Sequence, residues 1–327
     1  MAKKVIGVLT SGGDAQGMNA CLKTIVTMAS RNDMEVVAFL GGFQGLLDDN
    51  FKKLTPKDVE MCYTLGGSVI FSGRSKDFTI EEKRVVAKDV FKKHKLSGLI
   101  VLGGDGSIRG SRDLQAMGLN VLAIPCTIDN DVACTDKTIG FDTAVNNAVD
   151  AIDNIQQTMK ANGRVLIVEV MGRHCGDIAL YGGMCSESDI IMLPEKKQSV
   201  EKIVREIGKQ ISVGNISPTV VISENQLDIN NLAKTVEEKY GKEVRAIVVG
   251  YIQRGGKATM QDRLLATRMA VGAVECIIKE EYGGVIVVVN DEIKFKSFDT
   301  AIKEKKHFRE DIWQTFLNLK KFVTIKK

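Results

Sequence analysis

At 327 residues, with 44% hydrophobic and 26% charged residues, the chain has an ordinary globular balance and length enough for two lobes. A net charge of +4 argues against a nucleic-acid platform and is met as well by a few phosphate-binding arginines. The seven cysteines form no C-x-x-C pair, the N-terminus carries no signal-peptide core and no apolar run reaches membrane-spanning length, so a soluble protein of a reducing cytoplasm is expected.

The first predicted strand, KVIGVLT (4–10), runs into TSGGDAQGMN and then a helical stretch, MNACLKTIVTMAS. Gly12, Gly13 and Gly17 let the backbone turn tightly and bring N–H groups towards an anion at the helix start; a tight turn alone accounts for them equally well. A second strand is MEVVAFL (34–40), and the helical TIEEKRVVAKDVFKKH leads to a third, LSGLIVL (96–102). That strand ends in GGDGSIRG. Gly103, Gly104 and Gly106 clear side chains from a surface that phosphates must approach, Asp105 can hold Mg²⁺ between phosphate oxygens, and Ser107 is placed to cap the next helix. No G-x-x-x-x-G-K-[ST] occurs, so P-loop chemistry is not indicated.

The fourth strand, NVLAIPC (120–126), hands over to TIDNDVACTDKTIGFDTA, which is dense in acid. Read as extended chain, Asp129 and Asp131 point the same way and repel unless a cation or a transferable proton lies between them. One can hold Mg²⁺ while the other takes a proton from an attacking hydroxyl. Asp136 and Asp142 read as solvated turn residues without chemistry. After the helical TAVNNAVDAIDNIQQTM come RVLIVEV (164–170), DIIML (189–193), PTVVIS (218–223), VRAIVVG (244–250) and GVIVVV (284–289). Three of these carry polar groups suited to a sugar phosphate: Arg173 in VEVMGRHCGD, Glu224 in VISEN, and Arg245 and Arg254 around VRAIVVGYIQRGG. The tail AIKEKKHFREDIWQTFLNLKKFV reads as one or two helices packed by Trp313 and Phe316. Nine continuously apolar strands alternating with helices predict an α/β protein of two Rossmann-like, three-layer lobes with mostly parallel sheets, the chain crossing between lobes more than once. In such sheets ligands sit beyond the C-terminal strand ends, where every unusual cluster here lies.

Taken together, GVLTSGGDAQGMNA, GGDGS, TIDND, VEVMGRHCGD and QRGG…DR resemble the bacterial-type ATP-dependent 6-phosphofructokinases, in order, from about residue 4 to 320. The resemblance implies an ATP-binding lobe of residues 1–140 and 255–306, and a fructose-6-phosphate-binding lobe of 141–254 and 307–327. Gly13, Arg74, Ser75, Gly104, Gly106 and Ser107 would hold ATP, with Asp105 on Mg²⁺. Asp129 would be the general base for the 1-hydroxyl of fructose 6-phosphate, with Thr127 and Asp131 beside it. Arg173 would stabilise the transferring phosphoryl group, Met171 and Gly172 would line the sugar site and Glu224 would hold sugar hydroxyls. Tyr251 and Arg254 would face the 6-phosphate, joined by Arg164 and Arg245 from a neighbouring subunit of a homotetramer. The implied activity is the committed phosphorylation of glycolysis.

Three departures from the family pattern bear on that expectation. Tyr251 replaces the usual histidine and cannot become cationic near neutral pH, which predicts an active enzyme with weaker sugar-phosphate binding. Cys126 stands where ATP users have glycine and pyrophosphate users lysine, while Gly106 retains the glycine that an aspartate replaces in pyrophosphate users; the pair favours ATP. Of the positions matching the family's basic effector site, Lys23, Thr27, Pro56, Gln156, Val213 and Asn215, only Lys23 is basic, which predicts loss of control by ADP or phosphoenolpyruvate. A pyrophosphate-dependent phosphotransferase and a non-catalytic, ligand-binding paralogue are the alternative readings.

Overall fold

The computed structural model describes residues 3–321. The strands in chain order are β1 (Val5–Ser11), β2 (Glu35–Phe39), β3 (Phe51–Leu54), β4 (Ser72–Gly73), β5 (Leu96–Gly103) and β6 (Val121–Pro125). After them come β7 (Val165–Val170), β8 (Ile190–Met192), β9 (Thr219–Ser223), β10 (Val244–Val248), β11 (Gly284–Val289) and β12 (Glu292–Ser297). The chain forms two compact units, Met1–Thr143 with Arg254–Lys306 and Ala144–Gln253 with His307–Lys327. Residues 1–2 and 322–327, at the ends of the two predicted lobes, lie outside the described residues.

In the first unit the sheet order is β12-β11-β6-β5-β1-β2-β3, with β4 paired to the end of β1. All neighbours are parallel except β11–β12 and β2–β3. Both faces of this sheet are buried. Leu99 and Val101 of β5 join a core with Leu9, Phe43, Phe78, Ile108 and Leu114, while Ile100 and Leu102, which alternate with them, are equally inaccessible. The helices Met18–Arg31 and Met260–Ile278 pack on each other. In the second unit the order is β10-β7-β9-β8, all parallel. Val165 and Ile167 pack with Ile203, Val204 and Ile207 of the helix Val200–Ser212 and with Leu232 and Val236 of Ile229–Tyr240. Trp313 and Phe316 of the helix Glu310–Lys321 are buried, as the tail pattern predicts, although the last two residues of the predicted segment are not described.

All nine apolar runs are strands, and the described residues add β3, β4 and β12. β12 (EIKFKS) alternates charged and apolar residues and is half exposed, the mark of an antiparallel edge strand; a search for continuously apolar runs passes over it. The predicted helix after residue 79 is interrupted at Val85, giving Glu81–Arg84 and Val86–His94.

One buried carboxylate secures the start of the long helix Phe141–Asn162. Asp262 accepts hydrogen bonds from the backbone N–H of Gly140 (2.9 Å) and Thr143 (2.8 Å) and from the Thr143 hydroxyl (2.5 Å), the usual arrangement of an acid at a helix N-terminus. Burial outweighs those bonds and pushes its carboxyl up to about 6. The folded state therefore holds this proton more tightly than the unfolded chain, whose value is 3.8, and the stability it contributes is lost as pH rises between the two. Relative to D262N, the wild-type unfolding free energy is expected to fall by about 2 kcal/mol from pH 4 to 6.5. Urea unfolding of both proteins across that range tests this; parallel curves would contradict it.

Candidate active site

Because β6, β5 and β1 are adjacent and parallel, the three segments leaving their C-terminal ends lie side by side. From β1 comes the Gly12–Gly13 turn, whose Gly12 N–H donates to the Gly73 carbonyl (3.0 Å) beside the segment bearing Arg74 and Ser75. Arg74 is exposed. The Ser75 hydroxyl donates to Gln44 (2.7 Å) and accepts from the Phe78 N–H (3.0 Å), so it organises its own turn. From β5 comes Gly104, which caps the helix Asp105–Ala116. Ser107 is therefore inside that helix and does not cap it; its hydroxyl reaches the Ser11 carbonyl at 3.3 Å and ties the helix to the end of β1. Asp105, at the first helical position, is 48% exposed and accepts from Arg109 at 2.8 Å. Gly106 faces open space.

The acidic loop leaves β6 beside Gly104: a Cβ on Gly104 would lie 3.4 Å from that of Thr127. Its backbone is not extended. Residues 128 and 129 turn, and Asn130 adopts φ 53, so strand alternation does not set the directions of Asp129 and Asp131. Side chains brace the turn instead. The Asn130 carbonyl oxygen accepts from the Thr138 N–H (3.1 Å), the Thr138 hydroxyl donates to the Thr127 carbonyl (2.6 Å), and the Thr127 hydroxyl accepts from the Asp129 N–H (3.2 Å). Asp129 is only 6% exposed and Asp131 is partly exposed. Asp136 and Asp142 serve the fold, accepting from the Asn290 N–H (2.7 Å) and the Thr259 hydroxyl (2.7 Å). Arg254 forms an ion pair with Asp14, its guanidinium against Gly13. Asp14 lies in the same sequence turn as the glycines, but one acid in a loop carries no pattern that marks it in the sequence.

The second unit repeats the arrangement. The order β10-β7-β9 places the segments after Val248, Val170 and Ser223 side by side. Glu224 donates its N–H to the Val170 carbonyl (2.8 Å), and its carboxylate accepts from the N–H groups of Gly172 (3.2 Å) and Arg173 (2.8 Å). The turn Met171–Arg173 has left-handed backbone at both Gly172 (φ 142) and Arg173 (φ 54). At Gly172 a side chain is excluded outright, as its Cβ would sit 2.5 Å from the Cys175 carbonyl oxygen. Arg173 and Tyr251 are exposed, Tyr251 by 77%. Burial, with Glu224 and Asp228 nearby, raises the Glu169 carboxyl above its ordinary value. Arg164 and Arg245 stand elsewhere, at the N-terminal ends of β7 and β10, where both pair with Glu243, Arg164 at 2.6 Å.

A family model described as phosphofructokinase matches residues 5–277. The chain belongs to the phosphofructokinase family. A Clostridium botulinum (strain Loch Maree / Type A3) protein named ATP-dependent 6-phosphofructokinase is 38% identical over 310 residues, covering 95% of this chain and 97% of that one. One of the same name from Buchnera aphidicola subsp. Cinara cedri is 40% identical over 310 residues, covering 94% and 97%. Among solved structures, the phosphofructokinase of Saccharomyces cerevisiae superposes with a TM-score of 0.87 at 27% identity; the match takes in 96% of this chain and half of that one. The pyrophosphate-dependent phosphofructokinase of Marinobacter aquaeolei, at 22% identity and a TM-score of 0.84, shares the fold, covering 94% of this chain and 86% of that one.

Within this phosphofructokinase the unusual positions have definite surroundings. Cys126 is fully buried, and burial next to Cys21 and Asp262 pushes its thiol well above the usual range. Lys23 donates to the Glu60 carbonyl (2.6 Å). Gln156 is buried and donates to the Ser186 carbonyl (2.8 Å), and Val213 is exposed.

Proposed function

We propose that the protein transfers the terminal phosphoryl group of ATP to the 1-hydroxyl of fructose 6-phosphate, giving fructose 1,6-bisphosphate and ADP. The single observation that carries this reading is the side-by-side placement, at the C-terminal ends of β1, β5 and β6, of the Gly12–Gly13 turn, the glycine-flanked Asp105 and the buried Asp129. The first unit takes the nucleotide: Gly13, Gly104, Gly106 and Ser107 leave the phosphates close access to backbone N–H groups at a helix start, and Arg74 and Ser75 flank them. Asp129 accepts the proton of the attacking hydroxyl, with Thr127 and Asp131 adjacent. In the second unit Arg173 neutralises charge on the transferring group, Met171, Gly172 and Glu224 bound the sugar, and Tyr251, with Arg254, meets the 6-phosphate.

The donors present fit magnesium. Among the described residues no three His, Cys, Asp or Glu form a metal cluster, and the half-exposed Asp105 offers the one or two oxygens by which Mg²⁺ is commonly held beside phosphates. Asp105 would hold the Mg²⁺, which would supply positive charge to offset that developing on the phosphates. ATP is favoured over pyrophosphate by two observations: the space beside Gly106 is open to a further phosphate, and the inaccessible Cys126 supplies no charge in place of lysine. Arg164 and Arg245 support a shared site in a homotetramer. They stand at the opposite strand ends from Met171–Arg173, about 20 Å away along β7, which suits a role towards a second copy. A cytoplasmic setting suits seven cysteines with no C-x-x-C pair among them.

The effector positions favour an unregulated enzyme, since Lys23 is engaged by a backbone carbonyl and Gln156 by the fold. A coupled assay with ATP or pyrophosphate as donor, with and without millimolar ADP or phosphoenolpyruvate, tests all of this. Turnover with ATP and an unshifted saturation curve are expected; turnover with pyrophosphate alone, or none, would replace the reading, and a strong effector shift would restore regulation. Tyr251→His is expected to lower the KM for fructose 6-phosphate about five- to tenfold, because a charged donor outweighs a neutral one at phosphate. An unchanged KM removes Tyr251 from the 6-phosphate site.

A further inference from the structure

Gln253 is a polar side chain with no exposed surface, inside the segment Gly250–Arg254 that the proposed reaction assigns to the sugar phosphate. Its carbonyl oxygen accepts from the Met171 N–H at 3.2 Å and its amide nitrogen donates to the Gly250 carbonyl at 3.1 Å. The partners fix the orientation of the amide, since an N–H needs an acceptor and a carbonyl needs a donor. Together with Glu224, which takes the next two amides, Gln253 completes a set: three consecutive N–H groups, those of Met171, Gly172 and Arg173, are each held by a side-chain oxygen. These amides belong to the turn whose left-handed Arg173 is an uncommon conformation for a residue other than glycine and persists only when the surroundings hold it. Asn147 steadies the other end, donating to the carbonyls of Ile252 (3.2 Å) and Gln253 (3.3 Å).

We infer that Gln253 is a positioning residue that locks the turn presenting Arg173 to the segment presenting Tyr251, so that sugar-phosphate binding and the aim of Arg173 are set by one amide. This rests on the function proposed above. Glutamine suits the task because it both accepts and donates. A methionine of similar length does neither, and a glutamate keeps the acceptor for Met171 while weakening the link to Gly250.

The test uses the full-length protein. Q253M is expected to lower kcat by about 10²-fold, as displacement of a positioned group does, and to raise the KM for fructose 6-phosphate while leaving that for ATP unchanged. In an R173A background Q253M should cost no further kcat, because its effect on rate runs through Arg173. Q253E should recover most of the lost kcat but not the KM. A kcat loss of equal size with and without Arg173, or a wild-type kcat in Q253M, overturns the inference. Should Q253M not fold, Q253E decides alone: a kcat loss as large as that of R173A overturns the inference, and a raised KM with kcat retained supports it. Deuterium exchange separates this result from any failure of the functional reading, since it needs no turnover. Peptides covering residues 170–176 and 249–254 should both exchange faster in Q253M; acceleration confined to 249–254 refutes the lock even in an inactive protein.

Discussion

Asp129→Ser is expected to lower kcat by about 10²–10⁴-fold, with the KM for ATP near its wild-type value. The carboxylate is the one acid of the loop enclosed by the protein, at 6% exposure, on a turn braced through Asn130, Thr138 and Thr127. Serine is smaller, leaves the brace untouched and cannot accept a proton near neutral pH, so the loss falls on the chemical step. In the proposed reaction nucleotide binding falls to the neighbouring segments from β1 and β5, which the substitution does not reach. Steady-state kinetics with both substrates varied, alongside a thermal melt to show that the fold is intact, provide the measurement. Activity within threefold of wild type would remove Asp129 from the mechanism and leave the kinase reading without its base.

Gly103→Ala is expected to damage the same site from below, by geometry. Gly103 ends β5, and a Cβ there would lie 2.4 Å from the Ser107 hydroxyl oxygen, 2.6 Å from the Ser107 Cβ and 2.7 Å from the Ser11 carbonyl oxygen. A rotating side chain cannot relieve this, because one obstacle is the backbone of β1 and another is a Cβ fixed in the helix Asp105–Ala116. The helix start must move away from β1, at a cost of about 1–3 kcal/mol. Since that start carries Asp105, Gly106 and Ser107, the KM for ATP should rise at least tenfold while the protein melts several degrees lower. Gly106→Ala is the control. It has open space around it and should melt like wild type. If G103A binds ATP normally, the packing of helix start against β1 does not shape the donor site.

Much of this is legible in the amino-acid sequence. Strands buried on both faces announce themselves as unbroken apolar runs, so KVIGVLT, LSGLIVL and NVLAIPC were unmistakable, and their parallel order places the clusters GGD, GGDGS and TIDND at one edge. Edge strands were not legible by the same criterion. β12 pairs with β11 at the border of its sheet, has no buried residue and reads EIKFKS, a pattern that exposed loops also show. Ser107 was misread as a cap because its type suits that role, whereas Gly104 takes it through backbone conformation, which the residue name does not reveal.

The residues that aim the chemistry were the least visible. Gln253 and Asn130 are single polar side chains with no periodicity; their importance comes from which backbone N–H or carbonyl lies opposite them. The left-handed backbone at Asn130 and Arg173 likewise contradicts the local expectation for extended chain beyond a strand, and it exists because distant side chains hold it there. Asp262 marks the same divide in energetic form. The sequence places an acid in a D-R pair, but its burial in the folded protein, which outweighs the bonds from Gly140 and Thr143, raises its proton affinity.

Composition, apolar runs and glycine–acid clusters by themselves determined a two-unit α/β protein with glycine- and acid-rich loops at its strand ends, because burial and turn formation act over a few neighbouring residues. The tertiary structure alone decided which acid is enclosed, which amides are held and on which sheet edge each arginine stands. Those properties depend on groups far apart in the chain, and no local pattern records them.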